Sequence, residues 1–378
     1  MRWAVILCGT GSLLILTAQT WGQSLELSTD TAITLQGTVV TPTRTVRVKD
    51  STVTIGPLGP FDPGIALPAG VRLHGFDRLP DGTVLFSIDV ATPIAGLAPP
   101  GIAQPADVVH VGEAGPEIAF SGIAAGIPRG VNVDAVGREP NGDLLLSFDS
   151  AVQLGSLAVA REDLVRVDHD TQAVTMVYDG SAQGVAAGLN LDGAYRDLDT
   201  GHLLLSFDGA GTVGGVTFNA RDVLDWDPGT GSYSIAYAGD AAGWPRGANL
   251  LDVSGFSDGD GVIGAADNCP FVANSDQSDV GGIGAAAGPD GIGDVCQCGE
   301  VDGDGRVAPS DLAQIRRGLA ASDLVAFPER CNVIGAVDPT LLASGMRRDC
   351  DIADVVVIAR ALATLGPGVS QVCQSAVR

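Results

Sequence analysis

The sequence predicts a mainly β chain, and three observations predict it. One line recurs four times: GVRLHGF from Gly70, GVNVDAV from Gly130, GLNLDGA from Gly188 and GANLLDV from Gly247, at spacings of 60, 58 and 59 residues. The first three lines each lead through a turn into an apolar strand that stops at an acid: TVLFSID at Asp89, DLLLSFD at Asp149 and HLLLSFD at Asp208. Glycine and proline are plentiful, 52 and 21 of 378 residues, so the chain is rich in turns. Helical periodicity is confined to two stretches near the C-terminus.

Taken in order, residues 1–22 read as a secretion signal. Arg2 supplies the basic start, Ala4 to Ala18 the apolar run, and Thr20 and Gly22 stand at −3 and −1 of a cut before Gln23. The run is too short to span a bilayer, and no second apolar stretch of spanning length follows. The expected location is therefore outside the cell, with no membrane span.

Residues 23–256 form the predicted β-repeat domain. Its first part is rich in Thr and Val, and the alternating segments Thr45–Val48 and Thr52–Ile55 read as two short strands. Each repeat then carries an opening strand and a second strand across turns such as Pro140-Asn141-Gly142. A third strand follows near Asp107, Asp163 and Asp222. A fourth is expected at Glu117–Phe120, Thr175–Tyr178 and Ser234–Tyr237. Four short antiparallel strands per repeat of this length point to propeller blades. Three full repeats and a fourth opening strand predict about four blades, the strands at 45–55 completing the last and closing the ring. An open stack of β-meanders or a sandwich is the alternative. The strand-end acids Asp89, Asp149, Asp208, Asp163, Asp168, Asp222 and Asp227 recur with the repeat, as turn-forming residues that bond their own backbone do. The four histidines His74, His110, His169 and His202 fall at different places in the repeat, which predicts surface positions.

Charge bounds the partners. The formal net charge is −24, with 45 acidic against 21 basic residues, a surface that repels nucleic acid and anionic membranes. It suits a medium where divalent cations screen and bind carboxylates. Of seven cysteines, Cys8 leaves with the signal. The six that remain, Cys269, Cys296, Cys298, Cys331, Cys350 and Cys373, all lie in the last part of the chain. An even count in an exported chain reads as disulfides rather than as a zinc site. Six cysteines allow 15 pairings; the preferred one is Cys269–Cys296, Cys298–Cys373 and Cys331–Cys350.

Residues 257–297 change character. Asp258 and Asp260 alternate with glycine. Then come Asp267-Asn268-Cys269-Pro270, Asn274, Asp276, Gln277 and Asp279, and finally Asp290-Gly291-Ile292-Gly293-Asp294 before Cys296. A Gly/Asp stretch cannot bury enough surface to fold alone and needs metal and a cross-link. The order of residues resembles a thrombospondin type 3 repeat. The resemblance implies Ca²⁺ held by Asp258, Asp260, Asp267, Asp276, Asp279, Asp290 and Asp294. Residues 280–288, VGGIGAAAG, depart from that family, which has closely spaced Asp there.

Residues 298–378 open with a twelve-residue loop from Glu300 to Asp311. Carboxylates stand at positions 1, 3, 5 and 12 (Glu300, Asp302, Asp304, Asp311) and Gly305 at position 6. Ca²⁺ takes oxygen ligands at that spacing and a glycine at the sharp central turn; Arg306 would add its backbone carbonyl. Leu312, Ile315 and Leu319 then mark one face of a helix from Pro309 to Ala321. Val355, Val356, Ala359 and Leu362 mark a face of a second helix over Ile352–Leu365. A Ca²⁺ loop leading into a helix that ends near Arg316-Arg317-Gly318-Leu319 resembles a dockerin type I module, whose EF-hand-like repeats pair. The resemblance implies a cohesin-like or other surface-protein partner. The second copy departs from the pattern: Ala343, Gly345 and Arg347 stand where ligands belong, and Arg348 where the glycine belongs. One Ca²⁺ site is therefore expected here.

No catalytic constellation stands out, and H-E-x-x-H is absent. The predicted function is that of an exported, calcium-binding, non-catalytic β-repeat protein. It would bind a glycan or protein, or serve structurally. The alternative is a carbohydrate-active enzyme, or a component of a polysaccharide-degrading complex, which would need two carboxylates facing each other across a cleft.

Overall fold

The computed structural model describes residues 24–35, 38–42, 46–49, 52–54, 67–68, 70–79, 83–112, 115–255, 260, 262, 267–269, 272–284, 286–320 and 352–363. The segment read as a signal, together with Asp258, Cys331, Cys350 and Cys373, lies outside them.

Among the described residues, twenty-four short strands make up the β region, six to each of four units. The N-terminal strands are β1 (Ser24–Thr29), β2 (Ile33–Leu35), β3 (Thr38–Val40), β4 (Val46–Lys49) and β5 (Thr52–Thr54). The first repeat gives β6 (Leu73–Arg78), β7 (Val84–Ile88), β8 (Thr92–Pro93), β9 (Ile102–Ala103), β10 (Val108–Gly112) and β11 (Gly115–Phe120). The second gives β12 (Val133–Arg138), β13 (Leu144–Phe148), β14 (Val152–Leu154), β15 (Leu157–Val159), β16 (Leu164–Val167) and β17 (Val174–Tyr178). The third gives β18 (Leu191–Arg196), β19 (Leu203–Phe207), β20 (Gly211–Val213), β21 (Val216–Phe218), β22 (Val223–Asp227) and β23 (Ser232–Tyr237). β24 (Leu250–Gly255) opens the fourth.

The sheets are four-stranded and antiparallel: β6-β7-β10-β11, β12-β13-β16-β17, β18-β19-β22-β23, and β24-β1-β4-β5. The last sheet joins the two ends of the β region. β1 lies between β24 and β4, with Leu27 opposite Val253 on one side and Val46 on the other. The blade thus contains the two expected strands, and also β1, which the sequence reading left out. In every blade a small hairpin (β2-β3, β8-β9, β14-β15, β20-β21) sits between the second and third strands.

The four innermost strands close a ring: β6 packs on β12, β12 on β18, β18 on β24, and β24 back on β6. Neighbouring blades approach each other closely at glycines. A methyl at Gly75 would come within 2.3 Å of Val136 Cγ2, and one at Gly193 within 2.7 Å of the backbone of Asp252. The second strands read Leu-Leu-Leu-Ser-Phe in two blades and are buried along their whole length, which is why their sequence runs apolar instead of alternating. Apolar wedges fill the gaps between blades. Leu85, Val108 and Phe120 meet Val136, Leu146 and Phe148; Leu145, Leu164 and Tyr178 meet Leu205, Phe207 and Trp226. The chain is therefore a four-bladed propeller.

Two serine positions tie neighbouring blades. Ser87 Oγ donates to Val133 O at 2.7 Å and accepts Gly75 N–H, and Ser147 repeats this with Leu191 O and Ala135 N–H. The seam between the last and first blades has its own set. Phe76 N–H donates to Asp252, Ser254 Oγ donates to Asp77 at 2.8 Å, and buried Glu26 pairs with Arg78 at 3.1 Å.

The C-terminal unit has two helices in contact, α1 (Pro309–Ala320) and α2 (Ile352–Leu362). Proline at the first position suits a helix start. Val301, Val307, Ile315, Val355 and Ile358 are its buried centre, with Ile283 packed against them. Two expected faces are corrected. Leu319 is 42% exposed and Val356 50%, and α2 buries Val355, Ile358 and Ala361. Docking on α1 selects the i, i+3, i+6 row, because Val356 faces away from that single neighbour. No described helix is long and apolar enough to cross a membrane.

Candidate metal centre and axial pocket

Of the expected calcium ligands, the structure brings three together. Carboxylate oxygens of Glu300, Asp302 and Asp304 lie within 4.8 Å of one another, Glu300 fully buried and Asp304 exposed. Gly303 and Gly305 bend the loop at φ of +85° and +78°, conformations a side chain disfavours. Glu300 Oε1 accepts the N–H groups of Asp302 and Asp304, both at 3.1 Å, and of Gly303. A set of oxygens alone, held around a glycine turn, fits a hard divalent cation such as Ca²⁺.

Asp311 stands apart. Its Oδ1 accepts Val301 N–H at 2.8 Å and Asp302 N–H at 3.2 Å, and its Oδ2 accepts Ala308 N–H at 2.8 Å. It closes the loop and returns to the residue before the helix, as in a capping box. Burial pushes its carboxyl above the ordinary range. Arg306 uses its side chain too, donating to Ala287 O at 3.0 Å and Val280 O at 3.3 Å. Val307 pairs with Ile283 in a parallel bridge. The loop therefore leans on the 280–288 insertion.

Among the described residues, the acids upstream form no such group. Asp260 accepts N–H of Val262 and Asn274; Asp267 that of Cys269; Asp276 that of Ser278; Asp279 those of Asp290 and Gly291; Asp290 that of Ile292; Asp294 that of Val280. Four of these eight bonds are turns in which Asp bonds the backbone two residues on. Cys269 and Cys296 are bonded to each other across a separation of 27 residues, and Cys298 is also disulfide-bonded.

A second polar centre was not anticipated. At one end of the propeller ring lies a cavity of about 240 Å³, lined by residues of all four inner strands or the loops before them. Pairing of the first and second strands slips at the same place in every blade: between Leu73 and Phe76, Val133 and Val136, Leu191 and Gly193, and across Leu251. Each slip is a bulge, which re-aims the extra residue. The residues at the slips are His74, Asp134, Asp192 and Leu251, and all four line the cavity.

A chain of hydrogen bonds runs across the blades. His74 Nδ1 meets Asp134 Oδ1 at 2.8 Å. Asn190 Nδ2 donates to both Asp134 Oδ2 at 2.5 Å and Asp192 Oδ1 at 2.6 Å. Asn249 Nδ2 donates to Asp192 Oδ2 at 2.5 Å. Among the described residues, the side-chain carbonyls of Asn190 and Asn249 are buried without a hydrogen-bond partner. Burial, and then Asp134 beside it, raises the Asp192 carboxyl well above the usual carboxylate range. Sequence carried a signal for this site: Asn132, Asn190 and Asn249 at the third place of the repeat line, and Asp134 and Asp192 at the fifth, are polar residues in otherwise apolar strands.

The strand-end acids do what turn-forming residues do. Asp89, Asp149, Asp208 and Asp30 accept N–H of Arg72, Asn132, Asn190 and Asn249, once per blade. Asp107, Asp163 and Asp222 likewise clamp Gly122, Gly180 and Gly239. Asp30, Asp149 and Asp208 also wall the axial cavity. The histidines depart from expectation. Only His169 is exposed; His110 pairs with Glu117 at 3.0 Å and His202 with Asp225 at 2.9 Å, because each strand face offers a carboxylate opposite. The string Gly255-Phe256-Ser257-Asp258-Gly259 matches G-x-S-x-G by letter. Gly255 is the last residue of β24, and 256–259 lie outside the described residues.

No protein-family model matches the chain, and no curated protein matches it in sequence. Solved structures do. A protein of unknown function from Bacteroides caccae is 10% identical over 62% of this chain and 98% of its own, with a TM-score of 0.33. Virginiamycin B lyase from Staphylococcus aureus is 11% identical, covering 61% and 60%, at 0.26. Regucalcin, a calcium-binding protein from Agrobacterium tumefaciens, is 14% identical, covering 57% and 59%, at 0.26. The chain thus spans less than two thirds of the length of the latter two.

Proposed function

We propose that the chain is an exported, calcium-binding and non-catalytic propeller protein, whose C-terminal dockerin-like module carries one Ca²⁺. The observation that supports this reading is the meeting of Glu300, Asp302 and Asp304 within 4.8 Å. Ca²⁺ there would be a structural clamp. It would neutralise three crowded carboxylates and tie the loop to a small apolar centre that cannot sustain a fold alone. The propeller would offer its surface to a glycan or protein, and the module would attach it to a surface partner such as a cohesin-like protein or cap the chain. The glycoside-hydrolase alternative draws less support. In the axial cavity the carboxylates Asp134 and Asp192 are bridged by the Asn190 amide, so both are already engaged.

Scanning calorimetry of the full chain with and without chelator tests the reading. Two transitions are expected, and chelation lowers that of the C-terminal half. Glu300→Gln with Asp304→Asn lowers that same transition in the presence of Ca²⁺. A melt that ignores both chelator and substitutions overturns the reading.

A further inference from the structure

We propose that the axial cavity of the propeller is a second divalent-cation site, built for an oxygen-preferring ion such as Ca²⁺. Asp134, Asp192 and the side-chain carbonyls of Asn190 and Asn249 would hold it. These residues come from three blades, and the bulges re-aim both acids at the cavity.

The pointer to a ligand is Asn190. It is 5% exposed, it lines the cavity, and its Oδ1 has no hydrogen-bond partner. Asn249 Oδ1 shares that state. A buried carbonyl left without a partner destabilises the fold unless something meets it. Without a cation the amides have no better choice: each must turn its NH₂ to carboxylates that would otherwise repel. Rotating each amide by a half turn exchanges N for O, positions that are close to isosteric. Asn190 Oδ1 then stands where Nδ2 stands now, 2.5 and 2.6 Å from the two carboxylate oxygens. A cation beside that point receives carboxylate and amide oxygens together, and each NH₂ takes the place its carbonyl leaves. Mixed carboxylate and amide oxygens are the donor set of Ca²⁺. His74 keeps Asp134 oriented through Oδ1, while Asp30, Asp149 and Asp208 give the wall a potential that draws cations. Arg72, also on the wall, is paired with Asp89 at 3.3 Å, so its charge is already answered.

This site is separate from the loop at Glu300, and stands whether or not that loop binds. The test is isothermal titration of calcium-free full chain with CaCl₂. The variant Glu300→Gln with Asp304→Asn, which leaves the ring intact, should retain a binding event. Adding Asp192→Asn should abolish that event or weaken it at least tenfold. Retention of the event at unchanged affinity after Asp192→Asn, with an unchanged far-UV spectrum, overturns the proposal, as does its absence from the loop variant. If Asp192→Asn fails to fold, Asn249→Ala at the half-buried edge of the cavity gives the same readout.

Discussion

Asp77 shows how one side chain sets a pH response in the ring. It is buried at the closing seam, where its oxygens accept Ser254 Oγ and Arg138 N–H. Burial, with Glu26 adding to it, pushes its carboxyl up to about 6 from the unfolded value of 3.8. Its folded pKa is raised, so its contribution is full below about 4 and is lost as pH rises through about 6. The loss is on the order of 3 kcal/mol. Asp77→Asn, which can still accept from Arg138 and donate to Ser254, should flatten the pH dependence of urea stability between pH 4 and 7. Buried Asp252 nearby is raised in the same direction and keeps its slope in both proteins. Glycines give a second prediction at this scale. Gly193→Ala would drive a methyl into the backbone of the next blade and should cost about 2 kcal/mol or more. Gly247→Ala, at the start of the corresponding repeat line, meets nothing within 4 Å and should be close to neutral. Equal urea midpoints for the two variants would show that the blades do not touch at Gly193.

The disulfide Cys269–Cys296 and the strand β1 are the elements that hold open pieces of chain in place. The disulfide closes a stretch of 27 residues that has almost no apolar centre. Loop entropy assigns such a link about 3–4 kcal/mol. Reduction, or Cys296→Ser, should therefore lower the melting transition of the C-terminal half and leave the propeller transition in place, as read by calorimetry. β1 acts over a longer range. It inserts between β24 and β4 and brings Glu26 to Arg78 in the first blade. Deleting residues 24–54 removes three of the four strands of the last blade. The expected result is loss of the single cooperative β-sheet melt, measured by far-UV circular dichroism. A truncated chain that melts as sharply and as high as the full one would show that the ring does not depend on this closure.

For the molecule as a whole, much of the plan was legible in the chain. The Gly-opened lines and the strands ending at Asp89, Asp149 and Asp208 marked three blades, and the line at Gly247 marked a fourth that lacked its remaining strands. The strand-end acids could be read as turn-formers because an Asp needs only its neighbouring amides for that role. Carboxylates one, three and five places along the loop at Glu300 could be read as a cluster, since a glycine turn brings nearby residues together by local geometry. What escaped the sequence is non-local. β1 was invisible as a blade strand because its partner, Ser254 opposite Glu26, lies at the far end of the β region. The axial cluster was invisible for the same reason: His74, Asp134, Asn190, Asp192 and Asn249 are spread along the chain. The sequence by itself determined the repeat, the turns and the local acidic loop, all of which depend on residues within a few positions of each other. Only the closed ring decided which polar residues share a centre, because bulges on separate blades aim side chains at one axis only after the last blade is completed by the first strands.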